Sequence, residues 1–211
     1  MTTATSATLL HTLTATREAG GYAVPIRIAS VLFITALTAA AAQVSFPVPF
    51  TQVPFTFQPT VVLLGGLVLG SRLGFASQVL YLIAGLAGLP VFAASVTLPP
   101  GAWRLLGPTG GYLMAYPLAA FATGYLAERG FDRRYVTSVL AMLAGLVIIY
   151  ASGTVWLGLF ARTVTGSAAI GLNAALAAGV YPFVIPDLVK LAAAAGIVPG
   201  VWRLLPPSPG R

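Results

Sequence analysis

The chain has 211 residues, of which 58% are hydrophobic and 7% charged, with a net charge of +7. Soluble domains carry about 25% charged residues, so this composition excludes that class and predicts an all-α polytopic membrane protein. Cysteine is absent, His11 is the lone histidine, and the acids are Glu18, Glu128, Asp132 and Asp187. That inventory excludes disulfides, cysteine-based metal or redox chemistry and a histidine centre within the fold, and it leaves little for an enzyme built on paired carboxylates.

Residues 1–20 are rich in Thr, Ala and Ser and lack the pattern of a secretory signal, which predicts a disordered cytoplasmic tail. A first span is expected over Tyr22–Ala42, with Arg27 near its start placed to snorkel to the interface. Ala36 and Ala40, with Thr35 and Ala39 beside them, give it a face of small residues on which another helix can dock closely. Prolines at 47, 49, 54 and 59 then forbid a continuous helix between Gln43 and Pro59. The stretch is aromatic and apolar rather than solvated, which fits a loop folded over a cavity.

The second span, Thr60–Ser71, is short, about 18 Å of helix, and Arg72 and Gly74 mark a tight turn into a third span over Leu73–Leu89. Pro90–Pro108 is a second irregular stretch and contains Trp103 and Arg104. It leads into Gly107-Pro108-Thr109-Gly110-Gly111-Tyr112, a run suited to close backbone approach and positive φ. That run lacks the lysine and spacing of a phosphate-binding loop, and the chain has no Walker motif, so ATP hydrolysis would have to come from a partner.

A fourth span is expected over Gly111–Ala127, kinked at Pro117, and a fifth over Val136–Phe160 with Tyr150, Gly153 and Trp156 toward its far end. Between them lies the one concentrated charged loop, holding Glu128, Arg129, Asp132, Arg133 and Arg134. Residues 162–179 are small and weakly amphipathic, and a sixth span is expected over Pro186–Leu205, with 206–211 as a short tail. Pro186 reads as the first helical residue, which places Asp187 in a first turn whose dipole favours it. Lys190, three residues on, falls on the same face.

Six spans put Arg17, Arg27, Arg72, Arg129, Arg133, Arg134, Arg203 and Arg211 on one side, against Arg104, Arg162 and Lys190 on the other. This split sets both termini in the cytoplasm and gathers the proline-rich loop, the glycine-rich run and the Asp187/Lys190 pair on the outer side. An ionisable pair at membrane depth marks a functional site. Gln58, Tyr112 and Asn173 are candidate neutral hydrogen-bonding groups, and Arg104 and Arg162 candidate cations. A solute-binding transport subunit, an intramembrane enzyme and a proton-driven secondary transporter working through Asp187 all fit such a site. The inventory of acids, His and Cys weighs against the enzyme, and the lack of a visible inverted repeat against the secondary transporter.

Four strings carry a resemblance: Pro-Val-Pro-Phe-Thr-Gln-Val-Pro-Phe-Thr-Phe-Gln (47–58), Gly-Leu-Pro-Val-Phe-Ala (88–93), Gly-Pro-Thr-Gly-Gly-Tyr (107–112) and Asp-Leu-Val-Lys (187–190). Together they resemble the BioY family, the biotin-specific S components of energy-coupling-factor (ECF) transporters, over about residues 26–205. The resemblance implies a multi-pass plasma-membrane protein of six helices with the S-component fold and an outward-facing cavity capped by loops. Its ligand would be biotin, with no cofactor and no metal, and its partners a T component and two ATPases. Asp187 and Lys190 match the family's ligand-binding signature, the first loop its lid, and Ala36 and Ala40 the surface that meets the T component. The stretch 94–104 departs from the usual glycine-rich run, which bears on Arg104.

Biotin suits such a site. An ionised Asp187 can accept its ureido N–H groups through charge-assisted bonds. Lys190 can donate to the ureido oxygen or to the carboxylate, and Arg104 or Arg162 can neutralise the carboxylate if Lys190 serves the ring. Tyr112, Tyr150 and Trp156 can flank the thiophane. A different vitamin, such as thiamine, remains the alternative ligand.

Overall fold

The computed structural model of the chain describes residues 8–15, 22–95, 98–161 and 170–205. Its helices are α1 (Leu9–Ala15), α2 (Ala23–Gln43), α3 (Gln58–Leu69), α4 (Ser71–Leu86), α5 (Trp103–Leu106), α6 (Gly110–Leu126), α7 (Tyr135–Leu159), α8 (Leu172–Gly179), α9 (Tyr181–Ala195) and α10 (Ile197–Leu204). Among the described residues three stretches are long and apolar enough, by length and composition, to cross a membrane: α2, α7, and α9 with α10 taken together. Helix α3 is apolar but only 12 residues long, as its sequence suggested.

Helix α6 lies at the centre, packed on α3, α4 and α7, and small residues make that possible. A Cβ on Gly66 of α3 would stand 2.5 Å from the Ala120 carbonyl oxygen of α6, and one on Gly74 of α4 would stand 3.1 Å from the Gly66 Cα. Three backbones therefore meet where only glycine and alanine fit. Without a hydrophobic driving force between helices in lipid, such close van der Waals approach is what holds a bundle together. Helix α6 runs through Pro117 as one element. Between α2 and α4, Thr35 donates to the Ser77 carbonyl at 2.8 Å, and the buried Gln78 amide donates to Thr38 at 3.3 Å.

At the other end of α6 the chain passes through a π-helical turn, Ala127–Phe131, closed by Gly130 at φ 87°. The charges there are put to structural use. Glu128 Oε1 accepts both the Ser71 N–H and the Ser71 hydroxyl at 2.8 Å, satisfying a free donor at the start of α4. Asp132 is fully buried and accepts the Trp202 indole N–H at 2.8 Å, which ties the turn to α10. Burial raises the Asp132 pKa, while Trp202 and Arg133 pull the other way.

Several expectations change. Residues 1–20 are not all a detached tail: α1 buries Leu9 and Leu10, and Leu10 packs with Ile34 and Leu69. The expected sixth span begins at Tyr181 rather than Pro186 and is two helices, α9 and α10, with Pro182 at the first positions of α9 and Pro186 inside it. A proline only one turn into a helix conflicts with the carbonyl four residues back, here that of Pro182, so the disruption stays in the first turn. Asp187 consequently sits beyond the first turn, and the dipole argument for it fails. The proline-rich loop contains a short antiparallel hairpin, β1 (Ser45–Phe46) and β2 (Phe55–Thr56), in which Ser45 faces Thr56 and Phe46 faces Phe55. In the glycine-rich run the glycines serve close approach alone. None of them has positive φ, but a Cβ on Gly111 would strike Trp156 and stand 2.7 Å from the Ser152 carbonyl oxygen.

Candidate ligand-binding site

A cavity of about 700 Å³ opens where α6 begins, at the end of the bundle away from the Glu128–Arg134 loop. Its wall is built from the hairpin, the first residues of α3, the segment around Phe92–Ser95, Arg104, the start of α6, the middle of α7, and Phe183 and Asp187 of α9. Prolines supply much of the hairpin's share, through Pro47 and Pro54. They donate no N–H and so present apolar backbone without an unsatisfied donor. Val53, Phe92, Leu113, Tyr116, Ile149 and Phe183 are buried and line the interior.

Asp187 is 7% exposed and lines the cavity. Its Oδ1 pairs with the Lys190 ammonium at 2.5 Å, and its Oδ2 accepts the Tyr150 hydroxyl at 2.6 Å. A carboxylate in an apolar setting is tolerated only when paired and hydrogen-bonded, and these partners meet that condition while leaving lone pairs toward the cavity. The pairing of residues 187 and 190 is the one expected from their spacing. Lys190, however, does not line the cavity. Its ammonium turns to the hairpin, donating to the Thr56 carbonyl at 2.6 Å and lying 4.0 Å from the Phe55 ring centre and 5.3 Å from that of Phe57.

The remaining candidates divide. Gln58, Tyr112, Tyr150 and Arg104 all line the cavity. Gln58 is buried and donates to the Tyr81 hydroxyl at 2.6 Å, which in turn donates to the Val91 carbonyl at 3.1 Å. Tyr112 donates to the Gly179 carbonyl at 3.0 Å. Arg104 holds the carbonyls of Ala93 at 2.9 Å and Pro99 at 3.1 Å, with other guanidinium donors to spare. Partial burial lowers its pKa, from a value so high that the group stays charged.

Trp156 is not in the wall: it donates to the Gly107 carbonyl at 2.9 Å and fixes the glycine-rich run from behind. Asn173 lies exposed on α8, away from the cavity. Arg162 lies outside the described residues. Ala36 and Ala40 are exposed on α2, whereas Thr35 turns to α4 and Ala39 to the core.

Sequence reasoning missed Thr56, Tyr116 and Phe183 in the wall and Tyr81 behind Gln58. One signal was available, the alternation over Pro54–Gln58. Pro54, Thr56 and Gln58 line the cavity while Phe55 and Phe57 do not, as strand periodicity dictates. Among the described residues no cluster of His, Cys, Asp and Glu could hold a metal ion.

A sequence profile described as the BioY family matches residues 10–207. A protein of Pyrococcus horikoshii named "Probable biotin transporter BioY" is 43% identical over 164 residues, covering 78% of this chain and 88% of that protein. The "Biotin transporter BioY" of Thermotoga maritima is 38% identical over 161 residues, covering 76% and 86%. A crystal structure described as the S-component for biotin from an ECF-type ABC transporter superposes with a TM-score of 0.71, covering 84% of this chain and 90% of that one. At 24% identity the superposition establishes a common fold. The profile spans nearly the whole chain, and relatives above 30% identity span most of it as well. The chain therefore belongs to the BioY family, whose members are transporter components and not enzymes.

Proposed function

We propose that this chain is a biotin-binding S component of the cell membrane, taking biotin from the outer side. The observation that carries the reading is Asp187, a buried carboxylate held by Lys190 and Tyr150 at the wall of a largely apolar cavity. Biotin has the complementary form: two ureido N–H donors for the carboxylate, an apolar thiophane for the aromatic wall, and a carboxylate tail that Arg104 can neutralise. The cavity of about 700 Å³ falls within the range of about 300–1,000 Å³ of small-molecule sites. Gln58 and Tyr112 supply neutral polar groups, and Tyr150 orients Asp187. A site built for ureido hydrogen bonds rejects ligands without them, because its own polar groups are left unpaired.

In this reading α2, α3, α4, α6, α7 and α9–α10 are the six crossings, with both termini in the cytoplasm and the arginine-rich turn after α6 on that side. The exposed small residues Ala36 and Ala40 form the surface for a T component, which with two ATPases supplies the energy. A thermal-shift panel of vitamins on the purified protein in detergent tests the ligand. Biotin is expected to raise the melting temperature and thiamine and riboflavin to leave it unchanged, whereas a shift with another vitamin alone rejects biotin. Ala36→Trp and Ala40→Trp are expected to leave biotin binding intact and to reduce co-purification with the T component. Undiminished co-purification rejects that surface.

A further inference from the structure

We infer that the charged end of the bundle carries a site for an anionic phospholipid, in which Arg72 and Arg129 hold the phosphodiester and the rings of Phe75, Phe121 and Tyr125 bed its upper acyl chain. The inference rests on the reading of α4 and α6 as membrane crossings and lies at the opposite end of α6 from the cavity. The fold brings the two arginines together. Arg72 is the second residue of α4, and Arg129 lies in the π-helical turn after α6. Each follows one member of a single joint, in which Glu128 Oε1 accepts the N–H and the hydroxyl of Ser71 at 2.8 Å. The backbones meet there too, since a Cβ on Gly124 would stand 2.5 Å from the Ser71 nitrogen. The joint engages Glu128, and Asp132, the other acid of this end, is buried against Trp202. Arg72 and Arg129 are both exposed, and neither is ion-paired to a described residue.

Beside these cations runs a ladder of rings. Phe75, three residues after Arg72, falls on the same face of α4. Its ring meets Phe121 of α6 edge to face at 6.4 Å, Phe121 stacks on Tyr125 at 6.2 Å, and the Arg129 guanidinium carbon sits 3.3 Å from the Tyr125 ring centre. The ladder thus crosses from α4 to α6 and ends on a cation. Its rings are 38%, 42% and 43% exposed, so the described protein leaves this face to its surroundings. An apolar face that ends in arginines complements a lipid, with acyl chain against rings and phosphate against guanidinium. Stacking on Tyr125, and a bond from Nη1 to the Tyr125 carbonyl at 3.1 Å, hold Arg129 in place before a ligand arrives. The remaining N–H groups are left for an anion, and a guanidinium takes phosphate oxygens in pairs. A second copy of the chain suits this face less well. Two copies inserted the same way would set their arginines together at one depth, with like charges facing each other.

The test is native mass spectrometry of the full-length protein in a nonionic detergent, titrated with dioleoylphosphatidylglycerol or dioleoylphosphatidylcholine. It compares wild type, Arg72→Gln/Arg129→Gln, Tyr125→Leu and the charge-matched control Arg134→Gln/Arg203→Gln, which removes two other exposed arginines of the same end. Wild type is expected to retain phosphatidylglycerol about tenfold better than phosphatidylcholine. Arg72→Gln/Arg129→Gln should weaken phosphatidylglycerol retention about 10- to 30-fold, and the control by less than about twofold. Tyr125→Leu keeps the charge but frees Arg129, and should weaken retention about threefold. Biotin binding should be unchanged in every variant. Equal retention of the two lipids overturns the site, and so does an equal loss in the control, which would reduce the preference to net charge. Full displacement of the lipid by millimolar inorganic phosphate would assign the arginines to a soluble anion instead. A dimer signal that disappears with Arg72→Gln/Arg129→Gln, without a lipid preference, would assign the face to a second copy. Should the double variant not fold, Arg72→Gln and Arg129→Gln singly decide by the same titration. Failure of wild type to bind biotin would sink the proposed ligand and leave the lipid result standing.

Discussion

Asp187→Asn is expected to weaken biotin binding by about 100- to 1,000-fold with the fold intact. The carboxylate is the polar centre of the cavity, and hydrogen bonds to a charged acceptor contribute about 1.5–3 kcal/mol each. Asparagine keeps the size and one acceptor, but its amide offers donors where the ureido ring also offers donors. The loss extends past the ligand, because Lys190 at 2.5 Å and Tyr150 at 2.6 Å both lean on this group. Removing one member of a buried pair leaves the other uncompensated. Together these effects amount to about 3–4 kcal/mol, which is the stated loss of affinity. Tyr150→Phe removes one buttress and leaves the charge, and should cost about tenfold. Calorimetric titration of each variant is the check. An Asp187→Asn protein that binds within about threefold of wild type would remove Asp187 from the site.

The second large effect concerns stability. Gly66→Ala is expected to lower the melting temperature by about 4–8 °C, although alanine is the better helix former by about 1 kcal/mol. The added methyl would stand 2.5 Å from a backbone oxygen of α6 and 3.2 Å from the Ala120 carbonyl carbon and Cα. Backbone cannot rotate away as a side chain can, so α3 and α6 must part, and overpacking of this kind costs about 3 kcal/mol, the upper end of its usual range. Gly200→Ala in α10 is the control. Nothing lies within 4 Å of its added Cβ, so propensity acts alone and the protein should be unchanged or slightly more stable. Thermal unfolding in one detergent compares the two, and equal melting temperatures would mean that α3 and α6 do not meet as closely as described.

Much of the architecture was legible because apolar stretches bounded by Gly, Pro and charge announce themselves. The expected limits of α3, α4, α6 and α7 lie within about two or three residues of those observed, the usual latitude at helix ends. The Asp187/Lys190 pairing was legible for the same local reason, a separation of three residues on a helix. The start of α9 was misplaced because two prolines four residues apart both qualify as a helix start, and the choice between Pro182 and Pro186 depends on what α9 packs against. The hairpin went unread because four prolines in 17 residues mask a strand signal of two residues per arm. Trp156 was read toward the cavity because its spacing from Tyr150 and Gly153 permits it; its hydrogen bond to Gly107 joins residues 49 apart. The direction of Lys190 was beyond reach in the same way, since its partner Thr56 comes from the other end of the chain.

The most direct measurement is calorimetric titration of the purified full-length protein with biotin, run beside thiamine. Saturable one-to-one binding in the nanomolar range is expected for biotin, and no heat for thiamine. No heat with biotin, or saturation by thiamine instead, would contradict it.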